Sequence, residues 1–144
     1  MSIKKDAQTA HANLLEKTDP EALERINHFA FDEVQADVDL PDRTKMLSTL
    51  AYLLGMQGVD EYKVMLPVAL DNGVSPVEAK EVLYQAVDYL GLGRVFPFFN
   101  ATNDVLRARG VEMPLPSQSI TTMDNRLEKG EETQIRLFGP QMKD

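Results

Sequence analysis

The sequence has no cysteine. It therefore has no disulfide, no thiolate metal ligand and no thiol nucleophile. Histidine is almost as scarce: His11 and His28 are the only two, too few for a dedicated zinc site. Positive charge is also in short supply. Fifteen Lys and Arg against 23 Asp and Glu leave a formal charge of −8, with no large basic cluster. Nucleic-acid binding needs Lys and Arg gathered on one face, so no nucleic-acid partner is expected. Docking to an anionic membrane is disfavoured for the same reason. No apolar run approaches the ~18–20 residues of a membrane span. Met1-Ser2-Ile3-Lys4-Lys5-Asp6 leads into no signal-peptide core, so the expected location is the cytoplasm. Alternating strand patterns and low-complexity tracts are missing too.

What remains is helical periodicity. The 144 residues, 43% of them hydrophobic, suffice for one domain with a proper core. The best-defined stretch is Asp71–Gly93. Asn72-Gly73 stops one helix, since both residues tolerate the left-handed conformation beyond a C-terminus. Ser75-Pro76-Val77-Glu78 opens the next with a cap, a first-turn proline and a capping-box glutamate. Val82, Leu83, Ala86, Val87 and Leu90 form its apolar stripe, and Gly91-Leu92-Gly93 ends it. Before it, Ser2–Lys17 reads as an amphipathic helix with Ala7, Ala10, Leu14 and Leu15 on one side. A second helix starts at Asp19-Pro20 and buries Leu23, Ile26, Ala30 and Val34. Pro41–Gly58 is apolar enough to be buried on more than one side. Val59–Asn72 carries Pro67 inside, which predicts a kink or a start nearer Pro67. After it, Arg94–Arg109 is a further helix. Val111–Ser119 is an extended linker held open by Pro114 and Pro116, and Thr121 or Thr122 caps a last helix. The expected architecture is all-α: a compact bundle of six or seven helices, with an extended linker and a C-terminal helix. It divides into N-terminal helices (1–39), a core unit (40–110) and a linker with the final helix (111–144), one structural domain overall.

The Asn72-Gly73-Val74 helix end, the Ser75-Pro76-x-Glu78 start and Tyr89-x-Gly91 before a proline-containing helix resemble the carboxymuconolactone decarboxylase family, of alkylhydroperoxidase-like fold. The resemblance covers Leu40–Gly110. Thr121–Gly139 also resembles a helix that precedes this unit in many relatives, which raises two alternatives: it folds back on its own domain, or it packs on a neighbouring subunit. The resemblance implies self-association as a homo-oligomer, a trimer or hexamer. It also implies two chemistries. The peroxidase branch has a C-x-x-C pair, a histidine and an upstream acid, which in this register fall at Gly58, Glu61, Met65 and Met46. With no thiolate, thiol peroxidase chemistry is excluded. The decarboxylase branch has glutamate at Glu61, which is kept, and histidine at Met65, which is not. Methionine cannot shuttle a proton.

Candidate site residues follow from that gap. Glu61 opens a helix after Gly58, where Asp60 competes for the dipole-complementing role and leaves Glu61 freer. Arg94, at a helix start with no acid four residues earlier, is a candidate carboxylate clamp. Tyr89 and Tyr62 are candidate phenol donors, and His28 is a candidate acid–base, from this subunit or a neighbour. Met65 lines the pocket by register. Each has a plainer role: surface arginine, tyrosines at helix contacts, an edge histidine. Arg43 and Lys45 are read as structural ion-pair partners. Two functions are carried forward. The first is a cofactor-free, metal-free enzyme acting on a small carboxylated or lactone-type molecule, for which Glu61 should converge in a pocket with Arg94, Tyr89 or His28. The alternative is a catalytically silent oligomeric binding or scaffold protein, for which those side chains should face solvent or salt bridges.

Overall fold

A computed structural model describes residues 2–143. The described residues contain seven main helices: α1 (Ile3–Leu15), α2 (Pro20–Asn27), α3 (Asp42–Gly55), α4 (Val59–Asp71), α5 (Pro76–Leu90), α6 (Leu92–Ala108) and α7 (Arg126–Phe138). A π-helical segment, His28–Val34, and a short α-turn, Gln35–Asp37, extend α2 without a break. There is no strand among the described residues, and no helix there is long and apolar enough to cross a membrane.

Helices α3 to α6 form the core, and α1 lies across α4. Tyr62, Leu50, Leu54, Leu66, Leu83, Val95, Phe98 and Leu106 are fully buried. Tyr62 meets Phe98 edge-on, ring centres 5.1 Å apart, the arrangement that sets a positive ring edge against a negative face. The start of α5 follows the local signals. Ser75 Oγ accepts from the Glu78 N–H at 3.2 Å, and Glu78 accepts from the Ser75 N–H at 2.8 Å. Gly73 stands at φ +95°, past the end of α4, where a side chain would be strained.

Several expectations need correction. The buried side of α1 is Ile3, Ala7 and His11, while Leu14 is exposed. The stripe is rotated because α1 lies on α4, and the four-residue spacing of Ile3, Ala7 and His11 matches that seam. Of the second helix's stripe only Leu23 is buried; Ile26, Ala30 and Val34 line a cavity instead. Asp19 makes no side-chain cap bond. Helix α3 buries one face, Met46, Leu50, Leu53 and Leu54, and leaves Ala51 and Tyr52 exposed. Helix α4 does not start near Pro67 but runs from Val59 through it. The Arg109 guanidinium donates to the Pro67 carbonyl at 3.2 Å and grips both Asp71 oxygens at 2.8 and 2.7 Å. That fork ties the far end of α6 to α4. Helix α6 begins at Leu92, not Arg94, and α7 begins at Arg126, after neither threonine. The Asn125 carboxamide accepts from the Thr122 N–H at 2.7 Å, so the chain turns there before the helix starts.

Candidate functional site

Helix α1, the π segment, α3 and α4 line a partly open cavity of about 370 Å³. Its walls are mainly apolar. Phe31 and Val34 come from the π segment, Met46 and Leu53 from α3, and Met65 from α4. A π-helix is rare, and where it occurs it frequently sits at a functional site.

Two polar features interrupt this wall. The first is a pair. Helix α1 turns His11 inward on the same side as Ile3 and Ala7, and the first turn of α4 presents Glu61 opposite it. His11 Nε2 and Glu61 Oε1 lie 2.6 Å apart. The His11 side chain is 10% exposed and that of Glu61 43%, so the ring is dry and its partner reaches water. The hydrogen bond to Glu61 holds the imidazole pKa above its ordinary value; burial opposes this, and the Glu61 charge and the Ala7 carbonyl one turn back add to it. Nδ1 is buried and makes no hydrogen bond of good geometry among the described residues. Asp60, by contrast, points outward with its side chain 97% exposed, which leaves Glu61 alone facing the cavity.

The second feature is Lys45 on α3. Its ammonium lies 3.4 Å from the Gln35 carbonyl and has no carboxylate within 4.0 Å among the described residues. The side-chain oxygen of Gln35 is buried without a partner. Lys45 and Gln35 both line the cavity. A cation with no carboxylate partner among the described residues therefore lines the same cavity as the histidine–glutamate pair. Arg43 does form the structural ion pair expected of it, with Glu78; Lys45 does not.

The other singled-out residues lie elsewhere. Tyr62 is turned into the core, where its hydroxyl meets Thr102 Oγ1 at 3.0 Å; it does not line this cavity. Tyr89 is 87% exposed, at the rim of a different groove. His28 pairs with Glu33 at 2.9 Å on the surface of the π segment. Arg94 is exposed in the first turn of α6, without an ion pair among the described residues. Of the named candidates, the cavity gathers Glu61 and Met65. What Glu61 meets is His11, and none of Arg94, Tyr89 or His28. The signal that could have found it is a histidine at i+4 from Ala7 and i+8 from Ile3, a polar interruption of a buried stripe.

Met46, Glu61 and Met65 are three of the four positions at which the family register places reactive groups, and all three line this cavity. An all-α bundle with an acid–base pair in a largely apolar pocket is the class that fold and site define. The chain belongs to the carboxymuconolactone decarboxylase family, whose profile matches residues 20–104, more than half the chain. A 4-carboxymuconolactone decarboxylase from Acinetobacter baylyi is 31% identical over 86 residues, covering 60% of this chain. The matched part is 64% of that protein's length, less than two thirds. His11 lies before the segment that the family profile matches.

Proposed function

We propose that this chain is a cofactor-free carboxy-lyase acting on a small carboxylated, lactone-type metabolite, with the His11–Glu61 pair handling the proton. The observation that carries this reading is the 2.6 Å contact between His11 and Glu61 in the cavity wall. In the proposed reaction the bond between the ring carbon and the carboxylate breaks and carbon dioxide departs. The electron pair left behind delocalises into the lactone carbonyl as an enolate. The imidazolium of His11 then delivers its proton to carbon and is recharged from water through the more exposed Glu61. A raised pKa suits a histidine that must be protonated before it acts. Lys45 supplies a cation for a substrate carboxylate or for the enolate. The imidazole thus takes the role that Met65 cannot fill.

The test is carbon dioxide release from a panel of carboxylated lactones, with His11→Gln and Glu61→Gln beside the wild type. Loss of a positioned acid costs about 10²–10⁴-fold in rate. Full activity in His11→Gln would overturn the assignment. The silent binding or scaffold reading draws support from the outward placement of Arg94, Tyr89 and His28. It predicts ligand binding without turnover across the same panel.

A further inference from the structure

Two apolar surfaces of this chain are left uncovered, and they match in size. The first is a groove between α3 and α5, with a volume of about 540 Å³ and a floor that includes Leu47, Ala51, Val82, Ala86 and Leu90. Glu78 to Leu90 spans the groove along α5, a length of about 20 Å at ~1.5 Å per residue. The second is α7. Its 13 residues measure about 20 Å on the same rise. None of them is buried, and Leu127, Leu137 and Phe138 are 84%, 63% and 62% exposed. An amphipathic helix with its apolar side in water gains little from packing and needs a surface to cover it.

We propose that α7 of one copy seats its apolar side in the α3/α5 groove of a second copy, so that each subunit gives one helix and receives one. Charge supports this occupant. The chain as a whole is strongly acidic, at −8, and copies repel. Helix α7 is balanced: Arg126, Lys129 and Arg136 offset Glu128, Glu131 and Glu132. It can approach an acidic neighbour without adding repulsion. Arg126 and Arg136 stand near its two ends without ion-pair partners among the described residues. The groove rim offers the carboxylate of Glu81, also unpaired there. The chain's own α7 does not fill the groove. Leu115–Thr121 of the linker share a pocket with Lys80, Tyr84 and Gln85 on the flank of α5, the Thr122–Asn125 turn follows, and Leu127, Leu137 and Phe138 of α7 stay exposed. The proposal is independent of the chemistry in the other cavity.

The experiment is the molar mass of the full chain by light scattering and sedimentation across micromolar concentrations. The wild type is expected at a multiple of 16.1 kDa. The double variant Leu127→Glu/Phe138→Glu disables the donated helix, and Ala51→Arg blocks the groove. All three positions are exposed, so each variant should fold, which circular dichroism checks. Each variant alone is expected to be monomeric. Mixed in equal amounts they should recover a heterodimer, because one intact helix then meets one intact groove. A monomeric wild type, a helix variant that keeps the wild-type mass, or a mixture that stays monomeric would each overturn the proposal.

Discussion

Replacing Glu61 by glutamine should reduce stability in acid and leave it nearly unchanged in base. Glutamine keeps an oxygen that can accept from the His11 ring, so shape and a neutral hydrogen bond survive and only the charge is lost. A hydrogen bond to a charged group contributes about 1.5–3 kcal/mol, against about 0.5–1.5 kcal/mol for a neutral one. Glu61 is 43% exposed at the side chain, so water weakens the charge–charge part, and the difference expected is about 1 kcal/mol. His11 has its pKa raised on folding, above the ordinary 6.5. A raised cation pKa gives stability that is fully present below the unfolded value and fades as pH rises through the folded one. Wild type and Glu61→Gln should therefore differ at about pH 5.5 and converge by about pH 9. For a chain of this length about 1 kcal/mol corresponds to roughly 3 °C in Tm. Thermal melts at the two pH values give the answer. An equal Tm difference at both would refute the coupling, since it would mean that the carboxylate acts through packing and not through the imidazolium.

Three further outcomes follow from other residues. Lys45→Gln should weaken binding of carboxylated ligands at least tenfold by calorimetry, with the melting temperature within about 2 °C of wild type, because the lysine has no internal carboxylate to leave behind. Tyr62→Phe should cost about 1–2 kcal/mol in chemical denaturation by stranding the Thr102 hydroxyl in the core, with ligand binding unaffected. Ser75→Ala removes one half of the capping box and should cost about 1 kcal/mol, read from the same unfolding curves.

The fold was legible where the signal is local. The Ser75-Pro76-x-Glu78 start of α5 and the Gly91 end declare themselves in neighbouring residues, and both occur as read. The resemblance placed Met46, Glu61 and Met65 in one register, and the cavity collects them. What local reading missed depends on distant partners. His11 and Glu61 are 50 positions apart, and nothing near His11 announces its mate. Arg94 looked unattached because it had no acid four residues earlier, yet lacking a local partner says nothing about facing a pocket. Tyr62 resembled a donor by type, but its hydroxyl answers Thr102, 40 positions later on α6. The side of α1 that faces inward was misjudged because the alanines and leucines near its end are apolar enough for either side, and only the seam with α4 decides.

The acid–base pair draws its two halves from different levels of the molecule. Glu61 stands on the core, within the segment the family profile matches, while His11 rides on a covering helix outside it. On the proposed chemistry, the core can therefore stay fixed while the proton-handling group is exchanged like a tool in a holder. Chimeras that pair this core with other first helices, bearing lysine, tyrosine or no donor at the His11 position, would offer the same cavity a different proton, or none. The identity of the chemistry would then be written in thirteen residues that the remainder of the protein merely receives.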